Sequence, residues 1–179
     1  RKFMTDFELE QFITEYGADI YSFCCCLTGS RQEADDLYQE TFLRAVEKRK
    51  VLDAAGNPKS YVLSVAVRLW KNQRRKAAWR KRIADVELTG EDRTAADLQV
   101  SEDNLPEHQL VREEMRTAVR NAVGMLPDKL KVTVLLYYME ERSVEQIADI
   151  LHIPRGTVKS RLYQARKILE KELEYMLNE

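Results

Sequence analysis

Apolar residues recur at helical spacing through almost the whole chain, and no stretch shows sustained apolar and polar alternation bounded by turn signals. This pattern predicts an all-α protein. A first helix is expected over about residues 7–27, burying Leu9, Phe12, Ile13, Tyr16, Ile20 and Tyr21 and stopping at Thr28-Gly29. Ser30 with Glu33 has the signature of a capping box, in which hydroxyl and carboxylate satisfy the free amides of a new helix running to about Lys50. Gly56, Asn57 and Pro58 mark residues 51–58 as a loop, after which residues 60–82 resume the helical pattern. Between residues 85 and 105 the periodicity lapses into acidic and small polar residues, a composition too poor in apolar surface to offset chain entropy. This stretch is expected to be a linker between two helical domains. Pro106 opens a helix to about Val123, residues 124–127 (Gly-Met-Leu-Pro) break it, and residues 128–140 form the next. Two shorter helices, separated near His152-Ile153-Pro154, finish the chain.

The formal net charge of -1 would, taken alone, argue against a nucleic-acid protein, but the charges are segregated. Residues 59–82 hold nine basic side chains (Lys59, Arg68, Lys71, Arg74, Arg75, Lys76, Arg80, Lys81, Arg82) and no acidic one. Residues 85–103 reverse the sign, with seven carboxylates (Asp85, Glu87, Glu91, Asp92, Asp97, Glu102, Asp103) against Arg93. A basic helix beside an acidic tether is thus hidden in a neutral average. No window approaches the roughly 20 apolar residues of a membrane span. No leader pattern opens the chain, and Arg1 in place of a methionine suggests a trimmed start without functional content. Three adjacent cysteines, Cys24, Cys25 and Cys26, cannot be a disulfide framework and point to a reducing, cytoplasmic compartment.

Residues 143–169 hold the most specific pattern, because their apolar positions fit two helices joined by a turn of about four residues. The first helix would bury Val144, Ile147, Ala148 and Leu151. On the second, Val158, Leu162, Ala165 and Leu169 share a narrow sector, and Ser160, Tyr163, Gln164 and Lys167 project from the opposite side. Arg155, Lys159, Arg161 and Arg166 flank that polar face, where they can neutralise phosphates while the central side chains enter the major groove. The competing reading is a helical hairpin with an ordinary solvated face.

Residues 143–166, SVEQIADILHIPRGTVKSRLYQAR, resemble region 4 of the extracytoplasmic-function sigma factors of the sigma-70 family, and residues 34–46, ADDLYQETFLRAV, resemble region 2.2 of the same family. The loop and basic helix that follow are similar to regions 2.3 and 2.4. Helix-turn-helix segments are shared by many regulators, so the pair of motifs in order carries the resemblance. It implies a sigma region 2 domain over residues 1–85 that binds core RNA polymerase and recognises and melts the −10 element. It further implies a linker over 86–105 and a region 4 domain over 106–179 that docks on the −35 element of promoter DNA.

On the region 2.2 match, Ala34, Leu37, Tyr38, Thr41, Phe42 and Ala45 form the buried stripe and leave Asp36, Gln39, Glu40 and Leu43 outward. By resemblance, Asp36, Gln39 and Glu40 meet the polymerase. The −10 surface would comprise Lys59, Ser60, Tyr61, Arg68, Lys71, Asn72, Arg74 and Arg75. Single-strand capture requires aromatic or apolar walls in a cationic groove, and Tyr61, Trp70 and Trp79 supply such walls, although either tryptophan could equally be core. The family usually has Trp at position 61, Asn at 68 and Asp at 72, departures that bear on the detailed −10 preference. The −35 surface would comprise Arg155, Thr157, Lys159, Ser160, Arg161, Tyr163, Gln164, Arg166 and Lys167, with Arg161 and Arg166 nearer the backbone. His152 stands where the family often has Gly, and histidine tolerates the left-handed backbone such a turn needs. The acidic linker could mimic nucleic acid in the polymerase's RNA path, and an anti-sigma factor commonly occludes the polymerase-binding surfaces of family members.

Successive helical residues diverge by about 100°, so the three thiolates cannot converge on one tetrahedral ion. The cysteines are expected to be small core hydrophobes, with redox sensing through an exposed member as the alternative. His108 and His152 are isolated. No nucleophile elbow, phosphate-binding glycine loop or zinc-protease motif occurs, so no catalytic residue, metal site or cofactor is expected. Two rival readings stand beside the resemblance. A freestanding DNA-binding regulator accounts for the C-terminal half but leaves the Asp36 to Glu40 face unexplained, and an enzyme or metalloprotein would have to use the cysteines.

Overall fold

The computed structural model describes residues 4–48, 56–84 and 107–177, and the chain divides into two compact units, Arg1–Ala96 and Asp97–Glu179. The expected linker at 86–105, the helix start at Pro106 and residues 51–55 of the expected loop lie outside the described residues. All regular elements among the described residues are helices, and none is long and apolar enough to cross a membrane.

The first unit holds α1 (Asp6–Thr28), α2 (Arg31–Glu47) and α3 (Pro58–Ala84). Thr5 begins α1 with a capping box: the Glu8 amide donates to Thr5 Oγ1 at 3.2 Å and the Thr5 amide to Glu8 Oε2 at 2.7 Å. Gly29 ends α1 at φ 70, a left-handed position that glycine adopts without a Cβ penalty. Ser30 caps α2 by accepting from the Glu33 amide at 3.4 Å, but the expected reciprocal bond from the Ser30 amide to the Glu33 carboxylate is not formed. Instead Thr28 Oγ1 braces the corner, donating to the carbonyl of Ser30. The two helices run antiparallel, since Tyr21 on α1 meets Asp35 and Tyr38 on α2 while Phe12 meets Phe42.

Phe12, Ile20, Phe23, Cys24 and Leu27 of α1 pack with Ala34, Leu37 and Ala45 of α2 and with Val62, Leu63, Val65, Ala66, Val67 and Trp70 of α3. Buried Thr41 is satisfied by donating to the Leu37 carbonyl at 2.6 Å. Of the six residues expected in the core from α1, Phe12 and Ile20 are buried and the other four are not. Ile13 is 37% exposed because its neighbour Phe12 takes the contact with Phe42, and Tyr21 is half-exposed with its phenol donating to Asp35 at 2.6 Å. Leu9 and Tyr16 are half-buried, as are Tyr38 and Phe42 of the α2 stripe. Asn57 and Pro58 start α3 earlier than periodicity suggests: the Ser60 amide donates to Asn57 Oδ1, and proline at the first helical position loses no bond. From Arg75 to Ala84 every residue is exposed, so α3 outruns the bundle.

The second unit holds α4 (Glu107–Met125), α5 (Asp128–Val134), α6 (Val144–Leu151) and α7 (Arg155–Leu177). The helix expected over 128–140 is α-helical only to Val134; Leu135–Met139 form a π turn, closed by the Glu140 amide donating to the Leu135 carbonyl at 3.1 Å. A second full capping box, Ser143 with Gln146, opens α6. Only one of the last two helices is short. The run from Ala165 to Leu177 contains strong helix formers and neither glycine nor proline, so α7 continues for 23 residues.

The core here is Leu126, Leu130, Val132, Leu135, Leu136, Ile147, Ala148, Ile150, Leu151, Val158, Leu162 and Ala165. The turn between α6 and α7 is three residues, His152 to Pro154, with His152 left-handed at φ 53 and the Ile153 amide closing a bond to the Ala148 carbonyl at 3.1 Å. A side chain at that φ carries a local penalty that glycine lacks. His152→Gly is therefore expected to stabilise the second unit by up to about 1 kcal/mol, less the entropy of an added glycine. The midpoint of denaturant unfolding checks it, and a destabilised variant would show that the imidazole contributes more than the backbone strain costs.

Candidate nucleic-acid and partner surfaces

The α6–α7 pair is built so that packing fixes the outward face of α7. Val158, Leu162 and Ala165 are buried one after another, which turns Lys159, Ser160, Tyr163, Gln164 and Lys167 to solvent together. Lys167 Nζ lies 5.6 Å from the Tyr163 ring centre, so a cation and an aromatic surface share the middle of that face. Arg155 and Arg166 stand exposed on one flank, and Thr157 and Arg161 are half-buried on the other. Arg155 reaches Glu145 of α6 at 3.6 Å, an exposed pair that water screens. The Glu145 carboxyl is held below its usual range by its own backbone amide at the start of α6, with Arg155 adding to the effect.

Arg166 is held differently. Its Nε donates to Tyr138 Oη at 2.7 Å, and its guanidinium lies 5.9 Å from the Tyr137 ring centre and 5.8 Å from that of Tyr138. The phenol hydrogen bond pushes the guanidinium further up from an already high value. Sequence reading missed both tyrosines. The adjacent aromatic pair was visible, but the π turn that directs it was not.

On α3, Tyr61, Arg68, Asn72, Arg75 and Trp79 recur at intervals of seven, eleven, fourteen and eighteen residues and so share one stripe. Trp79 is 64% exposed on the projecting end of the helix, beside exposed Ile83. Trp70 is 3% exposed and belongs to the core, which removes it as a wall for a flipped base. Lys71 and Arg74 sit half-buried along the edge of the core, and Ser60 is half-buried in the first turn. Lys59 stands apart from the stripe. Its side chain is 14% exposed, with Nζ 3.3 Å from Asp19 and 5.5 Å from the Tyr16 ring centre, which ties the start of α3 to α1.

On α2, burial of Ala34, Leu37, Thr41 and Ala45 leaves Asp36, Gln39, Glu40 and Leu43 on the opposite side. Glu40 Oε1 accepts from Arg44 Nε at 2.8 Å, and Arg44 also reaches Glu47 at 3.3 Å. The face is therefore acidic and polar around one exposed leucine. Cys24 is buried in the core, and Cys25 and Cys26 are half-buried. Burial pushes the Cys25 thiol up, away from reactivity, with the Tyr21 phenol opposing.

The second unit holds a helix-turn-helix with a basic and polar outward face, and the first is a helical bundle carrying a basic helix. Residues 12–80 match the family described as sigma-70 region 2, and residues 116–169 match sigma-70 region 4. The chain is 31% identical over 159 residues to the ECF RNA polymerase sigma factor SigW of Bacillus subtilis, covering 88% of this chain and 84% of that protein. It is 31% identical over 152 residues to the RNA polymerase sigma-H factor of Pseudomonas aeruginosa, covering 83% and 77%. Its fold is similar to that of the sigma factor RpoE from Bartonella quintana, solved with the anti-sigma factor NepR. The TM-score is 0.72 at 21% identity, over 93% of this chain and 97% of that one. This chain belongs to the extracytoplasmic-function sigma factors of the sigma-70 family. It serves promoter-specific transcription initiation by RNA polymerase and is not itself an enzyme.

Proposed function

We propose that the two units divide the work of promoter recognition. Residues 1–85 bind core polymerase through Asp36, Gln39 and Glu40, and capture the −10 strand along the α3 stripe of Tyr61, Arg68, Asn72 and Arg75. Lys71 and Arg74 line its edge and Ser60 lies at its base, while Lys59, expected from sequence to touch DNA, instead anchors the start of α3 to Asp19 of α1. Trp79 supplies an exposed aromatic surface on which a base can stack, worth about 1–3 kcal/mol per base in single-strand binding. Residues 106–179 place α7 in the major groove at −35. There Lys159, Ser160, Tyr163, Gln164 and Lys167 face base edges, and Arg155, Thr157, Arg161 and Arg166 face phosphates. The acidic stretch at 86–105 links the two domains.

The observation that supports this reading most directly is the outward face of α7, a polar and aromatic centre between arginine flanks, fixed by a fully apolar inner face. The protein is proposed to act in the cytoplasm, where its polymerase is. The relative solved with NepR supports an anti-sigma factor as a further partner that occludes the polymerase-binding surfaces.

Run-off transcription with purified core polymerase on a promoter library tests the whole reading. Initiation should depend on added protein and select paired −10 and −35 elements. Gln164→Ala should relax preference at one −35 position and cost roughly 1–3 kcal/mol at the preferred sequence. Protein that binds DNA but neither associates with core polymerase nor supports run-off would instead be a freestanding regulator.

A further inference from the structure

Three features of the second unit meet at one point. The chain makes a π turn, Leu135–Met139, of a kind that is rare in proteins and concentrated at functional positions. Within that turn Tyr137 and Tyr138 lie edge to face, with ring centres 4.9 Å apart and planes at 77°. The Tyr138 phenol oxygen accepts the Nε–H of Arg166, which stands on the flank of the α7 face. Tyr138 is 54% exposed, so burial does not require the contact. Among the described residues, no carboxylate is within ion-pair reach of Arg166. Its partners are two neutral phenols.

A guanidinium held by neutral groups is oriented without being neutralised. An acidic residue in the place of Tyr138 would orient it equally well but would cancel the charge that attracts a phosphate. With Nε engaged by the phenol, the terminal amino edge of the fork has a fixed direction, and less entropy is lost when it meets an anion. We propose that Tyr138 is a positioning residue for promoter binding, holding Arg166 in the geometry in which its guanidinium meets a DNA backbone phosphate beside the −35 face. The proposal rests on the reading of α7 as the −35 helix. It adds to that reading a residue from outside the helix-turn-helix and a role for the π turn.

The test uses holoenzyme reconstituted from core polymerase and the full chain, with a labelled duplex carrying a promoter selected in the run-off screen. Binding is titrated at stepped salt concentrations. Tyr138→Phe keeps ring and fold but removes the acceptor, and should weaken binding about three- to tenfold. Arg166→Ala should weaken binding at least as much and lower the salt slope by about one. On the Arg166→Ala background, Tyr138→Phe should have no further effect. Arg166→Lys, which keeps the charge but lacks Nε, should resemble Tyr138→Phe. Tyr138 and Arg166 are both exposed, and thermal melting of the variants should be unchanged. A Tyr138→Phe protein that binds like the parent while Arg166→Ala is impaired would overturn the positioning role alone. Equal losses from Tyr138→Phe with and without Arg166 would overturn it as well. An Arg166→Ala protein with unaltered affinity and salt slope would instead remove Arg166 from the interface, and the −35 assignment of that flank with it.

Discussion

Asp36→Arg is expected to weaken binding to core polymerase by about 2–4 kcal/mol, roughly thirty- to a thousandfold, because it sets a like charge against a partner matched to an acidic face. The fold should not notice. Asp36 is exposed on α2, opposite the buried Ala34, Leu37, Thr41 and Ala45, and a surface change away from special features usually stays within about 0.5 kcal/mol. The new side chain would stand one helical turn before Glu40, so local electrostatics on the helix favour it slightly. Glu10→Arg, an exposed carboxylate on α1, makes the same change in net charge at a different place and serves as the control. Pull-down or fluorescence titration with core enzyme separates the two. If both variants lose affinity equally, the effect belongs to overall charge, and the α2 face is not the docking surface.

How far sequence reached depended on how strongly packing constrains each position. The α6–α7 pair was legible because its buried positions repeat at helical spacing and its turn sits between a left-handed residue and Pro154. The order of helices was legible for the same reason. The α2 face followed once its buried stripe was assigned, since what packing leaves outward is fixed by geometry. Failures arose where two arrangements satisfy the same pattern. Trp70 and Trp79 stand nine residues apart on one amphipathic helix, and only the length of the bundle decides that the first is core and the second projects past it. Lys59 counted as one more cation in a basic run, yet its Asp19 partner is 40 residues away on another helix. The π turn changes register by a single residue within the run from Val134 to Met139, which holds no charged residue, so periodicity does not fix the register there. The Tyr138 contact with Arg166, 28 residues distant, inherits that ambiguity.

Ile147→Ala is expected to cost the second unit about 2–5 kcal/mol and to abolish −35 binding without altering any residue proposed to touch DNA. Ile147 is completely buried on α6, and truncating it leaves a cavity beneath the helix whose packing aims α7. A domain of this size is stable by about 0.05–0.15 kcal/mol per residue, so the loss removes a large share of its total. The two tryptophans of the chain make the effect separable. Both lie on α3 in the first unit, so their fluorescence follows that unit alone, whereas far-ultraviolet circular dichroism follows the helices of both. In urea, Ile147→Ala should shift part of the dichroism transition to lower denaturant and leave the fluorescence midpoint in place. Phe23→Ala, a truncation at a fully buried position of the first unit, should do the reverse and shift the fluorescence midpoint. The Ile147 variant should still associate with core polymerase through α2. Equal displacement of both signals by Ile147→Ala would mean that the units unfold as one cooperative body, and the division of labour between them would lose its thermodynamic basis.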